Sequence, residues 1–310
     1  LDSSIITTLM KVKVKGDFNS FSAKFDETGY DESNYAKQIA NKIGITHHDL
    51  ELKADEYEKK IINYINLKKT PLSIPHEIAL FSLFEKIKKK TKVVLSGEGA
   101  DEIFGGYGRV QSSAFDYKKK NILNSIFSND RSKNISQFFI DRYNWMSFGQ
   151  KEKIFSKDFY TSINKDEKIK KFWSNEFRKI KNLDPYDQFL IIFQKFHLTC
   201  LLDRLDYTSM ASGVEARTPF VDHKVIEFAN SIPYEFKFVW KSKLQKLIGL
   251  FSNSLKNSEH RDISKYILRK TAEKYIPKNI VYRKKLGFPV PLDNWIKKGM
   301  IKFAKEILID

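Results

Sequence analysis

The stretch Leu95-Ser-Gly-Glu-Gly-Ala-Asp-Glu-Ile-Phe-Gly-Gly-Tyr107 decides how this 310-residue chain is interpreted. It follows the apolar run Val93-Val94-Leu95, which predicts a buried strand. The turn after that strand contains Gly97 and Gly99, and glycines let a backbone turn sharply and come close to a ligand. In parallel α/β sheets, ligands bind beyond the carboxyl ends of the strands, where this turn falls. The turn is therefore the first candidate for a ligand site.

Three acids follow one another closely in this turn: Glu98, Asp101 and Glu102. They repel one another unless a cation or a proton relieves the charge. The Mg²⁺ of a nucleotide would do so, because it prefers one or two carboxylates together with phosphate oxygens. Asp101 and Glu102 would equally suit the positive end of a following helix. The acids alone leave both interpretations open. Neither a Walker loop nor a Gly-x-Gly-x-x-Gly fingerprint occurs in the sequence, so a nucleotide site would have to be formed by other residues.

The first third of the chain has the pattern of an α/β domain with a parallel sheet. Apolar residues alternate over 21–25, which predicts a strand. Apolar residues over 35–43 recur at helical spacing, with Asp31 and Ser33 at cap positions before them and Gly44 as the stop. A second helical pattern, over 80–87, precedes the strand at 93–95. The stretch from about 110 to 195 predicts irregular helices, and more helical patterns follow residue 196.

The composition describes a globular chain, because 41% of the residues are hydrophobic and 14% are aromatic. No apolar run reaches the roughly 18 residues that a membrane span needs. With no signal-peptide features either, we expect a soluble, cytoplasmic protein. The single cysteine, Cys200, excludes an internal disulfide. The formal charge of +17 comes from lysines interleaved with acids, which favours solvated faces over a nucleic-acid surface.

Three segments, in the same order, resemble the signatures of glutamine-dependent asparagine synthetases. Residues 95–107 are similar to the first signature, and Gly213-Val-Glu-Ala-Arg-Thr-Pro-Phe-Val-Asp222 is similar to the second. Lys265-Tyr-Ile-Leu-Arg269 and Gly287-Phe288-Pro289 resemble the family's C-terminal motifs. The chain is therefore identified as a member of this family, corresponding to its C-terminal synthetase domain.

The resemblance implies an adenine nucleotide alpha hydrolase-like fold of the N-type ATP pyrophosphatase kind, with a parallel sheet flanked by helices. We expect one synthetase domain over 1–310, with an α/β nucleotide-binding part at 1–109, a helical insertion at 110–195 and a helical part completing the active site at 196–310. In the family, a Ser-Gly-Gly-x-Asp-Ser loop binds pyrophosphate, and Leu1-Asp2-Ser3-Ser4 resembles the second half of that loop. We therefore expect a preceding segment that contains the rest of the loop and an N-terminal glutaminase domain.

The resemblance also implies ATP and Mg²⁺ as cofactors and carries site residues over position by position. It places Asp2 and Asp101 at Mg²⁺-pyrophosphate. It gives Ser3 and Ser4 phosphate binding. The adenylate is assigned, largely through backbone contacts, to Leu1, Ala23, Ser96 and Gly97.

Two residues are implied to take part in the chemistry. Glu98 corresponds to the family's glutamate at the acyl-adenylate, where it would position the attacking ammonia and take its proton. Lys265 would lie against the α-phosphate and offset the negative charge that builds up as the carboxylate attacks. Glu215 and Arg217, in the second signature, are expected to pair and brace the site.

Two departures from the family pattern concern the acid that is amidated. The family often has Asp-Arg-x-Ser-Met where this chain has Asp206-Tyr207-Thr208-Ser209-Met210, in a region with Asp203 and Arg204 that lies near the family's active site. Pro71-Leu-Ser-Ile-Pro-His76 replaces the usual acidic-Pro segment. The activation step is therefore predicted more firmly than the substrate.

The reaction implied is the amidation of L-aspartate by ammonia through a β-aspartyl-adenylate, with release of AMP and pyrophosphate. Ammonia would come from glutamine through the glutaminase domain. The resemblance also makes a homodimer a candidate assembly, because family members often form dimers. Three alternatives stay open: amidation of another carboxylate such as a sugar acid of a surface polysaccharide, a tRNA-modifying pyrophosphatase-fold enzyme, and a non-catalytic domain.

Overall fold

The computed structural model describes residues 1–25, 27, 29–30, 32–127, 134–144, 146–285, 287–288 and 290–309. Asp31, a predicted helix cap, and Pro289, of the Gly-Phe-Pro motif, lie outside the described residues. None of the described helices combines the length and the apolar character that a membrane crossing requires.

Helices and short strands follow one another along the chain. In the first half they are α1 (Asp2–Lys13), β1 (Asn19–Lys24), α2 (Ser33–Ile43), β2 (Thr46–Glu51), α3 (Ala54–Lys68), α4 (His76–Ile87), β3 (Val93–Leu95), α5 (Ala100–Phe104), α6 (Gly108–Phe127), α7 (Ile135–Tyr143) and α8 (Phe148–Ile154). Then come α9 (Lys157–Ser162), a 3₁₀ turn (Asn164–Asp166), α10 (Glu167–Lys179), α11 (Pro185–Ile192), a π-helical segment (Phe193–Leu198) and α12 (Thr199–Ala211).

The C-terminal third is built from β4 (Glu215–Arg217), a 3₁₀ turn (Pro219–Val221), α13 (His223–Ser231), α14 (Tyr234–Lys237), β5 (Val239–Trp240), α15 (Lys243–Leu250), α16 (Ser254–Asn257) and β6 (Asp262–Ile263). It ends with α17 (Tyr266–Ala272), α18 (Lys278–Val281), α19 (Leu292–Trp295), a second π-helical segment (Ile296–Met300) and α20 (Ile301–Leu308).

The strands form small, mostly parallel pairs within a largely helical α/β chain. β1 runs parallel to β2, with Ala23 opposite Leu50, and α2 makes the crossover between them. A parallel pair needs such a crossover connection. β3 runs parallel to β4, with Leu95 opposite Arg217, whereas β5 and β6 are antiparallel. The predicted α/β class with parallel strands and flanking helices is confirmed at this level.

Most of the local predictions in the first third are confirmed. Strand β1 covers the alternating pattern up to Lys24, one residue short of Phe25, and α2 ends at Gly44, whose left-handed φ of 66° suits glycine. The predicted cap Ser33 is wrong, because Ser33 is the first residue of α2 and is buried. Glu32 stands at the cap position without a side-chain capping hydrogen bond, and its carboxylate instead accepts a hydrogen bond from Arg283 Nη1 at 2.5 Å.

The strand at 93–95 forms as predicted, but its predicted burial is wrong. Val93 and Leu95 are 50% and 42% exposed. These two side chains lie on the same face of the strand, because successive side chains alternate. Within the described residues β3 pairs with β4 alone, so this face is not covered as it would be in a wide parallel sheet.

The chain divides into two compact units. Unit 1 contains Leu1–Gly99, Cys200–Val225 and Arg269–Asp310. Its larger core joins α3 and α4 to the C-terminal segment through the buried residues Phe25, Leu52, Tyr57, Tyr64, Ile78, Ala79, Phe81, Val290, Trp295 and Met300. A second cluster, made of Phe84, Ile87, Leu205 and Val214, fixes α4 against α12 and the residues that lead into β4.

Unit 2 contains Ala100–Thr199 and Ile226–Leu268. Its core is aromatic and is centred on Phe139, which is 1% exposed. The ring of Phe139 meets those of Tyr143, Trp173, Phe177, Phe189 and Phe193 at centroid separations of 5.2 to 5.8 Å. Such edge and offset contacts add to the stability gained from burial alone. Helices α6, α7, α10 and α11 are held together around this cluster.

Candidate active site

The N-terminus of α1 carries four of the predicted phosphate and adenylate residues. Asp2 is the first helical residue, Leu1 takes the cap position, and Ser3 and Ser4 complete the first turn. The regular helical hydrogen bonds begin only when Ile5 N–H donates to Leu1 O at 2.9 Å. The N–H groups of a first turn point along the helix axis, and together with the helix dipole they favour an anion. The geometry of α1 therefore suits the predicted phosphate binding.

Gly97 lies directly against this first turn. A Cβ placed on Gly97 would be 2.6 Å from Ser3 N and 2.9 Å from both Asp2 C and Ser3 Oγ. No side chain fits at that separation, so only glycine allows the turn after β3 to approach α1 so closely. Gly97, which is 94 positions from Ser3 in the sequence, is thus brought against the predicted residues Asp2 and Ser3 in unit 1.

Ser96 and Glu98 organise the rest of this turn. Ser96 N–H donates to Arg217 O at 2.8 Å, which continues the ladder between β3 and β4. The Ser96 hydroxyl oxygen accepts a hydrogen bond from Glu98 N–H at 3.2 Å. These bonds fix the backbone from which the Glu98 side chain extends.

Arg204 on α12 pairs with Glu98. The Nη2 of Arg204 donates to Glu98 Oε2 at 3.3 Å, and the two side chains are 12% and 22% exposed. A guanidinium in a partly buried place holds a carboxylate in one position and keeps its charge compensated. Arg204 is 106 positions from Glu98 in the sequence, and no local pattern pointed to the pair.

Lys265, the predicted α-phosphate lysine, is buried in unit 2 and forms an ion pair with Asp101. Lys265 Nζ lies 2.7 Å from Asp101 Oδ1, and the side chains are 3% and 17% exposed. Lys265 has a φ of 51°, in the left-handed region. For a residue other than glycine this backbone conformation costs about 1–3 kcal/mol and is often found at functional sites. The strained backbone delivers the ammonium group to the carboxylate.

Gly106 leaves open the space that the Asp101 side chain occupies. A Cβ on Gly106 would be 1.7 Å from Asp101 Oδ1 and 2.6 Å from Asp101 Cγ. In addition, Gly106 N–H donates to Asp101 O at 2.7 Å, and Gly105 adopts a φ of 71°. The glycine pair of the signature thus closes around Asp101. This role was not predicted, although the glycine pair after a short acidic helix was a signal for it.

The acids of the signature differ in their surroundings. Asp101 and Glu102 lie in the first turn of α5, as the helix-capping interpretation predicted. Glu102 is 1% exposed, with His197 Nε2 3.8 Å from its Oε1. His197 forms hydrogen bonds with two hydroxyl groups: Nε2 bonds with that of Tyr107 at 3.2 Å, and Nδ1 with that of Tyr143 at 3.1 Å. This cluster of polar side chains in unit 2 anchors the end of the signature, and sequence patterns did not point to His197.

The remaining predicted residues are placed in unit 1. Ala23 is half-buried at the carboxyl-terminal part of β1 and packs against the core cluster that contains Phe25. Glu215 and Arg217 form the predicted ion pair, with Glu215 Oε1 2.5 Å from Arg217 Nη2, and both side chains are exposed. The pair therefore lies on the surface of β4, where an ion pair contributes little to stability.

The predicted site residues thus fall into two groups, one in each unit. In unit 1, Gly97 packs against the first turn of α1, and Glu98 pairs with Arg204. In unit 2 Asp101 and Lys265 contact each other.

A family model described as asparagine synthase matches residues 1–310. The chain belongs to the asparagine synthase family. It is 29% identical to asparagine synthetase (glutamine-hydrolyzing) 1 of Bacillus subtilis, over 99% of this chain and 48% of the relative. It is 24% identical to asparagine synthetase (glutamine-hydrolyzing) 3 of the same bacterium, over 99% of this chain and 46% of the relative. Asparagine synthetase (glutamine-hydrolyzing) 1 of Lotus japonicus is 28% identical over 82% of this chain and 30% of the relative. The chain spans less than half the length of each of these relatives.

Proposed function

We propose that the chain is the synthetase part of a carbon-nitrogen ligase with the N-type ATP pyrophosphatase fold. The reaction is L-aspartate plus ATP and ammonia giving L-asparagine, AMP and pyrophosphate. The observation that carries the proposal is the packing of Gly97 against the first turn of α1, next to the pair of Glu98 with Arg204. This arrangement offers backbone N–H groups to phosphate oxygens beside a fixed carboxylate. Membership of the asparagine synthase family supports it.

The first step is activation of the acid. An oxygen of the aspartate side-chain carboxylate attacks the α-phosphorus of MgATP, and the bond from that phosphorus to the pyrophosphate oxygen breaks. The first turn of α1, with Ser3 and Ser4, holds the departing phosphates, while Leu1, Ala23, Ser96 and Gly97 hold the adenylate. This step makes the carboxyl group an acyl donor, because AMP is a good leaving group.

The Lys265 ammonium offsets the charge that builds up on the phosphate as pyrophosphate leaves. Its burial and its ion pair with Asp101 support this role, because a preorganised charge in a partly dry place acts more strongly than one in water. Asp2 and Asp101 are the carboxylates proposed for the Mg²⁺ that accompanies ATP. Their chemistry fits this ion, which takes one or two carboxylates besides phosphate oxygens.

The second step forms the amide. Glu98 positions ammonia and accepts a proton as the nitrogen attacks the acyl carbon, and the bond to the AMP oxygen breaks. Arg204 acts through Glu98 by holding it in place. In the complete protein, ammonia is proposed to come from glutamine through a glutaminase domain, as the names of the relatives suggest.

A second candidate is amidation of a different carboxylate, such as a sugar acid. It is favoured by Tyr207 and by the segment Pro71–His76, which replace the family's usual residues in the region of the acid substrate. Both candidates share the activation step and the residues proposed for it.

Two assays test the proposal. The first follows the exchange of labelled pyrophosphate into ATP, and the second follows the full reaction with ammonium as the nitrogen source. We expect exchange that requires L-aspartate and Mg²⁺, and formation of L-asparagine when ammonium is added. Exchange with a sugar acid but not with L-aspartate would select the second candidate. Absence of exchange with every acid would remove adenylation from the account.

A further inference from the structure

Helix α15 of unit 2 turns its apolar side outward. Leu244, Leu247 and Ile248 on the helix and Phe251 just after it recur three and four positions apart, so they share one face. These four side chains form the α15 face, and within the described part of the chain they are between 37% and 89% exposed. A surface helix ordinarily directs such a stripe toward the core. The α15 face is therefore an apolar surface that the packing of unit 2 leaves open.

The opposite side of α15 packs against aromatic rings. Gly249 is buried, and a Cβ placed on it would be 2.6 Å from Trp240 Cη2. The ring of Trp240 in turn meets those of Phe115 and Phe238, at centroid separations of 5.0 and 6.2 Å. Gly249 follows Leu244 by five positions, which places it about 140° around the helix. Because only glycine fits against the Trp240 ring, this contact decides which side of α15 points outward.

Both ends of α15 are also held in place. The Ser242 hydroxyl oxygen caps the helix by accepting a hydrogen bond from Gln245 N–H at 3.1 Å. Just beyond the other end, Lys119 Nζ of α6 donates to Ser252 O at 2.5 Å. The α15 face is thus presented by a helix that is fixed within unit 2.

The charges that accompany the α15 face are basic. The sequence from 236 to 258 contains neither Asp nor Glu, whereas Lys241, Lys243, Lys246 and Lys256 within it are exposed. Lys243 and Lys246 belong to α15 itself. Apolar side chains flanked by lysines complement a surface that is negatively charged outside and apolar just beneath, as an anionic phospholipid surface is.

Other occupants fit this surface less well. A second copy of the chain paired through α15 would bring Lys243 and Lys246 of both copies together, and like charges facing each other oppose association. A partner protein would need a groove with a place for each apolar side chain. A lipid surface needs no such groove, and Phe251, 89% exposed, can enter it without a change in the fold.

We propose that the α15 face binds the surface of a membrane that contains anionic phospholipids. The α15 face enters the boundary of the acyl chains, and Lys243 and Lys246 lie at the phosphate groups. The contact is peripheral, because the eight residues of α15 extend only about 12 Å and lie in the plane of the interface. The contact is separate from the candidate site and places the proposed amidation next to a membrane.

Sedimentation of the complete protein with lipid vesicles tests the contact. We expect binding to vesicles of phosphatidylcholine with about 30% phosphatidylglycerol, and binding at least about tenfold weaker to phosphatidylcholine alone, because the lysines gain only at an anionic surface. Raising the salt concentration from about 0.05 M to about 0.5 M should weaken binding to the anionic vesicles, since salt screens exposed charges.

The apolar contribution is tested by Leu247→Ser combined with Phe251→Ser. Both side chains are exposed, so the double variant should stay folded by circular dichroism while its binding to anionic vesicles falls at least about tenfold. Ile154→Ser is the matched control, because Ile154 is 64% exposed on α8 of the same unit. Binding by the control should stay within about twofold of that by the unsubstituted protein.

The basic contribution is tested by Lys243→Gln combined with Lys246→Gln. Binding to anionic vesicles should fall about 10- to 30-fold. Lys168→Gln combined with Lys171→Gln removes the same charge from exposed positions on α10 and should change binding about twofold or less. Pyrophosphate exchange in solution should stay within about twofold in every one of these variants, because none of the residues belongs to the candidate site.

The outcomes that overturn the membrane contact are distinct from those that bear on the reaction. Failure to bind either kind of vesicle overturns it, and so does binding that Leu247→Ser with Phe251→Ser leaves unchanged. Binding of polyglutamate but not of anionic vesicles would assign the α15 face to an acidic protein instead. If the unsubstituted protein binds anionic vesicles as expected but shows no pyrophosphate exchange with any acid, the proposed function falls and the membrane contact stands.

Discussion

Replacing Lys265 by methionine tests the buried ion pair in its structural and its proposed chemical role. Lys265 Nζ lies 2.7 Å from Asp101 Oδ1, and only 3% of the lysine side chain is exposed. Losing one partner of a buried pair costs about 3–5 kcal/mol. Because Asp101 is 17% exposed, water screens part of its charge, and we expect a loss near the lower end, about 3 kcal/mol.

A double-mutant cycle separates the pair from the rest of the packing. Asp101→Asn in the Lys265→Met chain removes the charge that the lysine compensated. The double variant should therefore lose about 1–3 kcal/mol less stability than the two single variants lose in sum. Urea unfolding followed by circular dichroism measures all four proteins. Lys168→Met, at an exposed position on α10, controls for the loss of a lysine.

The same chains then test the chemistry. Pyrophosphate exchange should fall about 10²–10³-fold in Lys265→Met. It should stay low in the double variant, because restored stability returns neither the lysine charge at the phosphate nor the Asp101 carboxylate proposed for Mg²⁺. The reasoning is refuted if Lys265→Met loses less than about 1 kcal/mol of stability, or if its exchange stays within tenfold of the unsubstituted protein.

Three further predictions follow from single contacts. Gly97→Ala would place a Cβ 2.6 Å from Ser3 N and should raise the KM for ATP about tenfold. Gly149→Ala, with open space around it, should leave that KM unchanged, and equal KM values in the two variants would contradict the close approach of Gly97 to α1. Phe139→Ala in the aromatic core of unit 2 should cost about 3–5 kcal/mol in thermal unfolding, and a loss below about 1 kcal/mol would argue against that core. Burial raises the pKa of Asp262 from 3.8 to about 7, so the stability that this carboxyl contributes is fully present below pH 3.8 and is lost as the pH rises to about 7. Asp262→Asn should therefore gain about 3 kcal/mol relative to the unsubstituted protein between pH 5 and pH 8 in urea unfolding, and a pH-independent difference would contradict this.

The local elements could be predicted because their patterns are short-range. Alternation over 21–25 and helical spacing before Gly44 each report how a segment meets its neighbours, and β1 and α2 form there. Burial of β3 was predicted wrongly, because an apolar run does not reveal how many strands cover it. In the described residues β3 has β4 as its one neighbour, so Val93 and Leu95 remain exposed.

The candidate site could likewise be predicted only where its residues lie in contiguous motifs. The residue types of the first signature and of Lys265 were available from the sequence, because their motifs are contiguous. The pairing of Glu98 with Arg204 spans 106 positions, and the left-handed φ of Lys265 leaves no mark in composition or periodicity. Distances of this kind depend on how α12 and the signature pack, which a single sequence does not specify. For the same reason, the sequence did not predict that Lys68 Nζ donates to Pro71 O at 3.1 Å and lies 5.5 Å from the ring centroid of Tyr207.

The most direct test of the proposed acyl-adenylate follows oxygen from the acid to the nucleotide. L-aspartate labelled with ¹⁸O in its side-chain carboxylate is incubated with the protein, MgATP and ammonium, and the nucleotide products are analysed by mass spectrometry. Because the attacking oxygen stays on the phosphorus when nitrogen displaces AMP, the account predicts one ¹⁸O atom in each AMP formed. Unlabelled AMP, or ADP with the label in inorganic phosphate, would contradict it.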